Sequence, residues 1–296
     1  MDVAIDKNAE LATSIVNSGL KSFGFPLIGS TVEDSPQWRG NATASDLDKA
    51  RSTLCQFYRD WSSEGAGERR ECLDPIIRDL QVERENPDTD VMNVLVPGAG
   101  LGRLVFELCK DGFNVEGNEI SYHQLLASSY ILNYCLGQDV HTIYPWVHSF
   151  SNHSSRSHHL KSVQVPDVHP ATSLNLARQD NNTNYTLDRA PYRRRQPGKM
   201  SMSAADFLCV YSAIEYKDAF DAIATVFFID TAPNPIHYIE TVRNCLRPGG
   251  IWANLGPLLW HFKSNPPGKH SHGYKYVSSL DKDGDKELRG MCCNMP

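Results

Sequence analysis

Long apolar runs are what this chain most obviously lacks. No stretch is long enough for a signal peptide or a membrane span, and the first ten residues carry Asp2, Asp6 and Glu10 instead. The expectation is a cytoplasmic protein with nuclear entry open to it and no membrane partner, in which the sequons at Asn41 and Asn184 are chance. Basic charge is also scarce. Twenty-nine Lys and Arg stand against 35 Asp and Glu, for a net charge of −6 and a pI near 6.0, which argues against a general nucleic-acid binder. The eight cysteines show no CxxC spacing. That disfavours a metal site or a disulfide framework and suggests reduced thiols of an intracellular protein.

What the chain does have is a compact signal from Val94 to Glu119, VLVPGAGLGRLVFELCKDGFNVEGNE. The apolar run Val94 to Val96 predicts a strand. Gly98, Gly100 and Gly102 predict a turn whose backbone can approach a ligand, and Leu101, Leu104, Val105 and Leu108 predict a helix behind it. A second strand, Phe113 to Val115, leads to an acid at Glu119, placed to accept from ribose hydroxyls. The spacing is GxGxG. The dinucleotide pattern needs a small residue at position 103, where this chain has Arg103, which disfavours a nicotinamide oxidoreductase. A mononucleotide-like ligand such as S-adenosylmethionine fits better, with its amino-acid end over the glycines, Glu119 at the ribose and Asp206 at the adenine amine.

Around this centre, residues 1–45 are polar and broken by Gly24, Pro26 and Gly40, and they read as a partly ordered arm. A helix capped by Ser45 carries Leu54, Phe57, Tyr58 and Trp61 on one face, and Gln56 and Arg59 share a flank that spacing alone assigns to solvent. Pro75, Ile76, Ile77 and Leu80 predict another helix, and Tyr122 to Leu136 a further one. Residues 137–200 are rich in His, Ser, Asn and Pro and read as an insertion, either a lid or local disorder; its Arg193–Arg195 triplet is too little for a nucleic-acid site. The core resumes at Met200. SMSAAD, ending at Asp206, precedes an apolar run from Phe207 to Tyr211. Phe220 to Ile229 is a buried strand, Pro235 to Cys245 a helix, Leu246 to Gly250 a stop and turn, and Ile251 to Leu255 the next strand. Strands alternating with helices predict an α/β fold with a mostly parallel, doubly wound sheet.

The phrases LVPGAGLGRL, GNEISYHQLLASSYILN, YPWVHSFSN, FFIDTAPN and LRPGGIWANLGPLLWHF, with STLCQFYRDWS upstream, closely resemble the carnosine N-methyltransferase family over Asp48 to Phe262. The resemblance implies a Rossmann-like class I methyltransferase sheet over residues 46–262, with an N-terminal helical extension at 46–89 and the insertion at 137–200. It implies S-adenosylmethionine as donor and carnosine or another histidine-containing peptide as acceptor, methylated on an imidazole nitrogen to give anserine from carnosine. Position by position, it makes Gln56, Arg59, Gly98, Gly100, Glu119, Asp206 and Phe207 cofactor contacts and puts Asp230 and His261 at the acceptor, with no metal. A homodimer is compatible with it.

After Phe262 the quoted resemblance stops, and the 34 residues 263–296 form a polar, divergent tail. Asp281 to Asp285 mimics a calcium loop, but its glycine is misplaced and Cys292 stands where the closing glutamate belongs. Tyr274 and Tyr276 are the tail's candidates for acceptor-contacting aromatics. The expectation is a shortened C-terminus that leaves the Ile223 to Ile229 strand with an exposed edge. It raises the alternative of a catalytically impaired, methyltransferase-like protein that binds cofactor or a partner only.

Overall fold

A computed structural model describes residues 1–28, 40–84, 91–180 and 196–264. The N-terminal stretch, expected as an arm, is largely helix. α1 runs Asp2–Ser22, and Ala4, Asn8, Leu11 and Gly19 are buried on one face. Asn8 closes a two-way hydrogen bond with the Tyr144 backbone, donating to its carbonyl at 3.0 Å and accepting its N–H at 2.8 Å. α2 (Ala44–Trp61) is capped two residues earlier than the expected Ser45. Thr43 accepts from the Asp46 amide and Asp46 accepts from that of Thr43, a reciprocal capping box that satisfies two otherwise orphaned N–H groups. α3 (Ala66–Arg84) begins well before Pro75 and carries that proline inside it.

The central units follow. β1 (Asn93–Pro97), α4 (Arg103–Lys110) and β2 (Asn114–Glu119) match the predicted strand, turn, helix and strand. α5 (Tyr122–Ser129) continues into a π-helical turn, Tyr130–Tyr134. The segment expected as a lid or disorder is part of the packed body as far as it is described. β3 (His141–Ile143) pairs antiparallel with β4 (Val163–Val165) across the short α6 (Arg156–His159), and α7 (Pro170–Asp180) follows. Ile143, Val163, Val165 and Leu174 join the main core. The Arg193–Arg195 triplet, and everything expected of the tail beyond residue 264, lie outside the described residues.

β5 (Met200–Ala204), α8 (Phe207–Tyr211), β6 (Phe220–Val226), α9 (Pro235–Cys245) and β7 (Leu246–Leu255) complete the order. β6 is shorter than the predicted Phe220 to Ile229, because Phe227 turns into the left-handed region (φ 56). The predicted turn at Leu246 to Gly250 is absorbed into β7, with a register shift opposite Phe220 and Ala222.

The sheet is parallel, in the order β5-β2-β1-β6-β7. The order therefore reverses between β1 and β6, which opens a crevice at their carboxyl ends. β6 is flanked by β1 and β7, so the strand expected to lose a neighbour has two; among the described residues the outer strand on this side is β7. A second cluster, including Leu95, Phe207, Tyr211, Ile223, Val242 and Cys245, packs apart from the main core. Burial and the Glu116 carboxylate push the Tyr211 phenol far up, so it stays a donor, and it meets Glu116 at 2.5 Å. Among the described residues no helix is long and apolar enough to cross a membrane, and no group of three or more His, Cys, Asp or Glu could hold a metal ion.

The packing of α1 has a measurable consequence. Leu11 is fully buried in the main core. Leu11→Ala should lower the unfolding free energy by about 2–4 kcal/mol in denaturant titration, the range for buried leucines. A loss within error of zero would mean that α1 contributes no packing.

Candidate functional site

The crevice is floored by the glycine turn after β1. Gly98, Gly100 and Gly102 all adopt positive φ (67, 57 and 76), a conformation that glycine enters without steric cost. At Gly98 space is short as well: an added Cβ would lie 2.6 Å from the Phe228 ring. Besides one internal bond, from the Gly102 amide to Ala99 O at 2.9 Å, the turn is held by partners from outside it. Asn118 O accepts the Ala99 amide at 2.9 Å, and Trp61 Nε1 of α2 donates to Leu101 O at 3.0 Å. Glu119 Oε2 accepts the Gly100 amide at 3.0 Å, while its Oε1 takes the Ile120 and Ser121 amides at 2.9 and 2.8 Å. The acid predicted to meet a ribose is thus also the clamp of the turn. A carboxylate offers roughly four acceptor positions, and three are filled, leaving one on Oε2.

The cleft above the turn is walled by Arg59, Asp60, Arg69 and Cys72 from the N-terminal helices, and by Arg103 and Phe227 from the sheet side. Arg59 and Arg103 therefore face the same space as Gly98 and Gly100, although spacing alone put Arg59 on a solvated flank. Its Nε and Nη2 are engaged by Asp60 at 2.7 and 3.2 Å, and its guanidinium sits 5.3 Å from the centre of the Phe227 ring. One turn back on α2, the Gln56 Oε1 atom is buried with no hydrogen-bond partner among the described residues. An unpaired buried acceptor is costly, and a ligand donor would relieve it.

The remaining predicted residues lie outside the walls of that cleft, at neighbouring strand ends. Glu119 is in register with Ala204, which puts Asp206 just past the adjacent strand. Asp206 caps α8 by accepting the Cys209 amide at 3.0 Å, and Phe207 is buried in an aromatic group with Phe228 and Tyr238. Asp230 is 2% exposed in a 3-10 turn after β6. Its Oδ2 accepts the Leu259 amide at 3.0 Å, and its carbonyl accepts the His261 amide at the same distance. Asp230 and His261 are therefore brought together, with the His261 side chain exposed.

Several contributors escaped the sequence reading. Trp61 looked like plain core, Asp60 and Arg69 were not singled out, and Arg103 counted only as a misfit to the dinucleotide pattern. Phe227 has a left-handed backbone that a bulky side chain rarely tolerates, and nothing in sequence signals it.

A family model described as carnosine N-methyltransferase matches residues 36–282. The match extends beyond both ends of the resemblance quoted above, so the break expected after Phe262 is corrected. The carnosine N-methyltransferase of Schizosaccharomyces pombe is 39% identical over 89% of this chain and 64% of its own length. That of Rattus norvegicus is 40% identical over 88% of this chain and 59% of its own. The chain thus spans between 42% and 64% of the length of the curated relatives it matches. Among solved structures, a putative sarcosine dimethylglycine methyltransferase from Galdieria sulphuraria is 13% identical over 64% of this chain and 47% of that one, with a TM-score of 0.34, too loose a likeness to add to the fold.

Phe227 supplies a test of the cleft's geometry. Phe227→Ala and Phe227→Gly both remove the ring, but only glycine relieves the left-handed backbone. Phe227→Gly should therefore unfold at higher denaturant than Phe227→Ala, by about 1 kcal/mol. Equal stability, or a more stable alanine variant, would mean that no backbone strain is held there.

Proposed function

The chain belongs to the carnosine N-methyltransferase family, and from that premise we propose that it transfers the methyl group of S-adenosylmethionine to an imidazole nitrogen of carnosine, giving anserine, or of a related histidine-containing peptide. The observation that carries the reading is the left-handed glycine turn at the switch point of the sheet, clamped by Glu119 and overlooked by Arg59. The residues present fit the donor. Among the described residues Gln56 Oε1 has no partner, as a cofactor-contacting carbonyl would without its ligand. Glu119 Oε2 retains acceptor capacity for a ribose hydroxyl. Arg59 keeps Nη1 for a carboxylate after Asp60 has taken its other two nitrogens. Asp206 and Phe207, at the end of the strand beyond Glu119, are proposed for the adenine.

Bound there, S-adenosylmethionine supplies a methyl group on a positively charged sulfur. The protein's task is then alignment, since in-line displacement needs the acceptor nitrogen held on the far side of the methyl carbon. An ordinary imidazole titrates near roughly 6.5, so a large neutral fraction exists at physiological pH and no strong base is required. We assign Asp230 the opposite ring N–H. Its Oδ2 is committed to Leu259, and Oδ1 is left to accept that proton, select the tautomer and stabilise the imidazolium as it forms. His261, tied to the Asp230 carbonyl through its own amide, is proposed for the same methyl acceptor.

Calorimetry with S-adenosylmethionine, followed by a carnosine methylation assay on the full chain, tests the proposal. Cofactor binding without transfer would overturn it in favour of a binding-only protein. Asp230→Asn keeps an oxygen for the Leu259 amide and removes the charge. It should lower kcat by about 100-fold or more while leaving cofactor affinity nearly unchanged. Asp230→Ala should abolish transfer and also free the Leu259 to His261 segment. Unchanged turnover in the asparagine variant removes Asp230 from the mechanism.

A further inference from the structure

Asp167, in the loop after β4, lies outside the cleft, yet two of the arginines that wall the cleft converge on it. Its Oδ1 accepts from Arg103 Nη1 at 2.6 Å, and its Oδ2 accepts from Arg69 Nη2 at 2.7 Å. The three side chains are only 8 to 12% exposed. Each arginine then reaches back to the carboxyl end of α2. Arg103 Nη1 donates to Asp60 O at 2.8 Å, and Arg69 Nη1 donates to Arg59 O at 2.8 Å and Ser62 O at 3.0 Å. The Asp167 amide donates to Trp61 O at 2.8 Å. The last carbonyls of a helix have no partners within it, and here two guanidiniums and an amide supply them, with cations at the favourable end of the dipole.

The network joins the parts of the site that must agree in position. Gln56, Arg59 and Asp60 ride on α2, Arg103 immediately follows the glycine turn, and Trp61 is hydrogen-bonded to that turn through Leu101. Arg103 lies 4.9 Å from the centre of the Trp61 ring, closing the loop of contacts. Buried ion pairs are no better for stability than well-packed apolar groups, and their best-attested use is to fix register. Burial, and then the neighbouring Arg103, pull the Arg69 guanidinium below its ordinary value, so this pair of cations needs the shared carboxylate.

We propose that Asp167 is a positioning residue for the methyl-donor site: by bridging Arg69 and Arg103 it latches the carboxyl end of α2 to the glycine turn, and so presets the spacing between Gln56 and Arg59 on one side and Gly98 to Gly102 on the other. The proposal rests on the reading of this cleft as the S-adenosylmethionine site. It gives the segment after residue 137 a part in donor binding without any contact to the donor.

The test uses the full chain as Asp167→Asn, Asp167→Glu and, as a stability control, Leu174→Ala, a core leucine of α7 that takes no part in the network's hydrogen bonds. S-adenosylmethionine affinity by calorimetry, steady-state kinetics, and hydrogen exchange of the Gly100 to Arg103 amides without ligand are read for each. Asp167→Asn should weaken cofactor binding about 10-fold or more, with a matching rise in cofactor KM and a kcat at saturation within about 3-fold, the pattern of lost uniform binding. It should speed exchange of the turn amides, and Asp167→Glu should recover part of both effects. Leu174→Ala should lower the melting temperature without moving either. Unchanged affinity and exchange in folded Asp167→Asn overturn the proposal, as does an equal loss of affinity in Leu174→Ala. Should Asp167→Asn not fold, Arg103→Lys, which keeps the charge and loses the fork, is expected to give the same weakening, and normal cofactor binding in it overturns the latch. A wild-type chain that binds no S-adenosylmethionine overturns the ligand reading instead, and the exchange data then decide the latch alone.

Discussion

A turn that runs through three left-handed glycines satisfies only part of its own backbone, here by one internal bond from the Gly102 amide to Ala99 O at 2.9 Å. Between the strand ladder and the α4 ladder, where the sheet meets the helical layer, the Ala99 and Gly100 amides and the Leu101 carbonyl have to find partners elsewhere. Asn118 takes the Ala99 amide, Glu119 takes that of Gly100, and Trp61 gives its indole N–H to Leu101. Two of those partners come from the end of β2 and one from α2. The turn therefore has its observed shape only when the neighbouring strand and the N-terminal helix are both in place. An isolated β1-turn-α4 unit would leave these groups to water, and the cleft would lose its floor.

The same requirement explains why α2 and α3 are more than an extension added to a Rossmann-like sheet. Phe57, Trp61, Leu73, Ile76 and Leu80 share one buried cluster with Val94, Val96 and Leu104. Apolar burial of this kind supplies cohesion but tolerates sliding, because it has no direction. Direction comes from polar contacts. Arg69 and Arg103 end on defined oxygens of Asp167 and of the α2 carboxyl end, and Asn8 matches both polar groups of Tyr144. In each case a buried polar group accepts the cost of leaving water in return for a fixed register.

These long-range polar pairs also mark where sequence reading stopped. The glycine turn, Glu119 and the flanking strands were legible because their signals are local: residue type, period and short spacing. α1 was not, because its buried stripe of Ala4, Asn8, Leu11 and Gly19 contains a polar residue and a glycine. Asn8 is buried because Tyr144 lies opposite, and Gly19 because a side chain there would strike Leu126 at 2.7 Å. Neither reason is visible within the helix. Arg103 broke the dinucleotide spacing for a cause found at Asp167, far along the chain. Family resemblance reached Gln56 and Arg59 where spacing favoured solvent, and the unpaired Gln56 oxygen gives that assignment a physical counterpart in this chain.

The two sides of the switch point divide the work unequally. On the β1 side the proposed donor cradle is built from backbone amides, glycine conformations and a clamping carboxylate. On the β6 side the strand ends at Phe227 in a strained conformation, with Gly256 so near that an added Cβ would sit 3.0 Å from the Phe227 backbone. The chain turns at once into the short 3-10 turn of Asp230, whose carboxylate and carbonyl hold the segment after β7 by two amides, from Leu259 to His261. That segment carries exposed Leu258, Leu259 and Trp260 and so draws little hold from burial. In the proposed site, donor binding would depend on a rigid floor, while acceptor binding would depend on one aspartate that orders the segment and is assigned to the reacting ring. A conservative change at Asp230 separates those two duties, whereas a change at the glycine turn cannot, because there the binding surface and the structure are the same atoms.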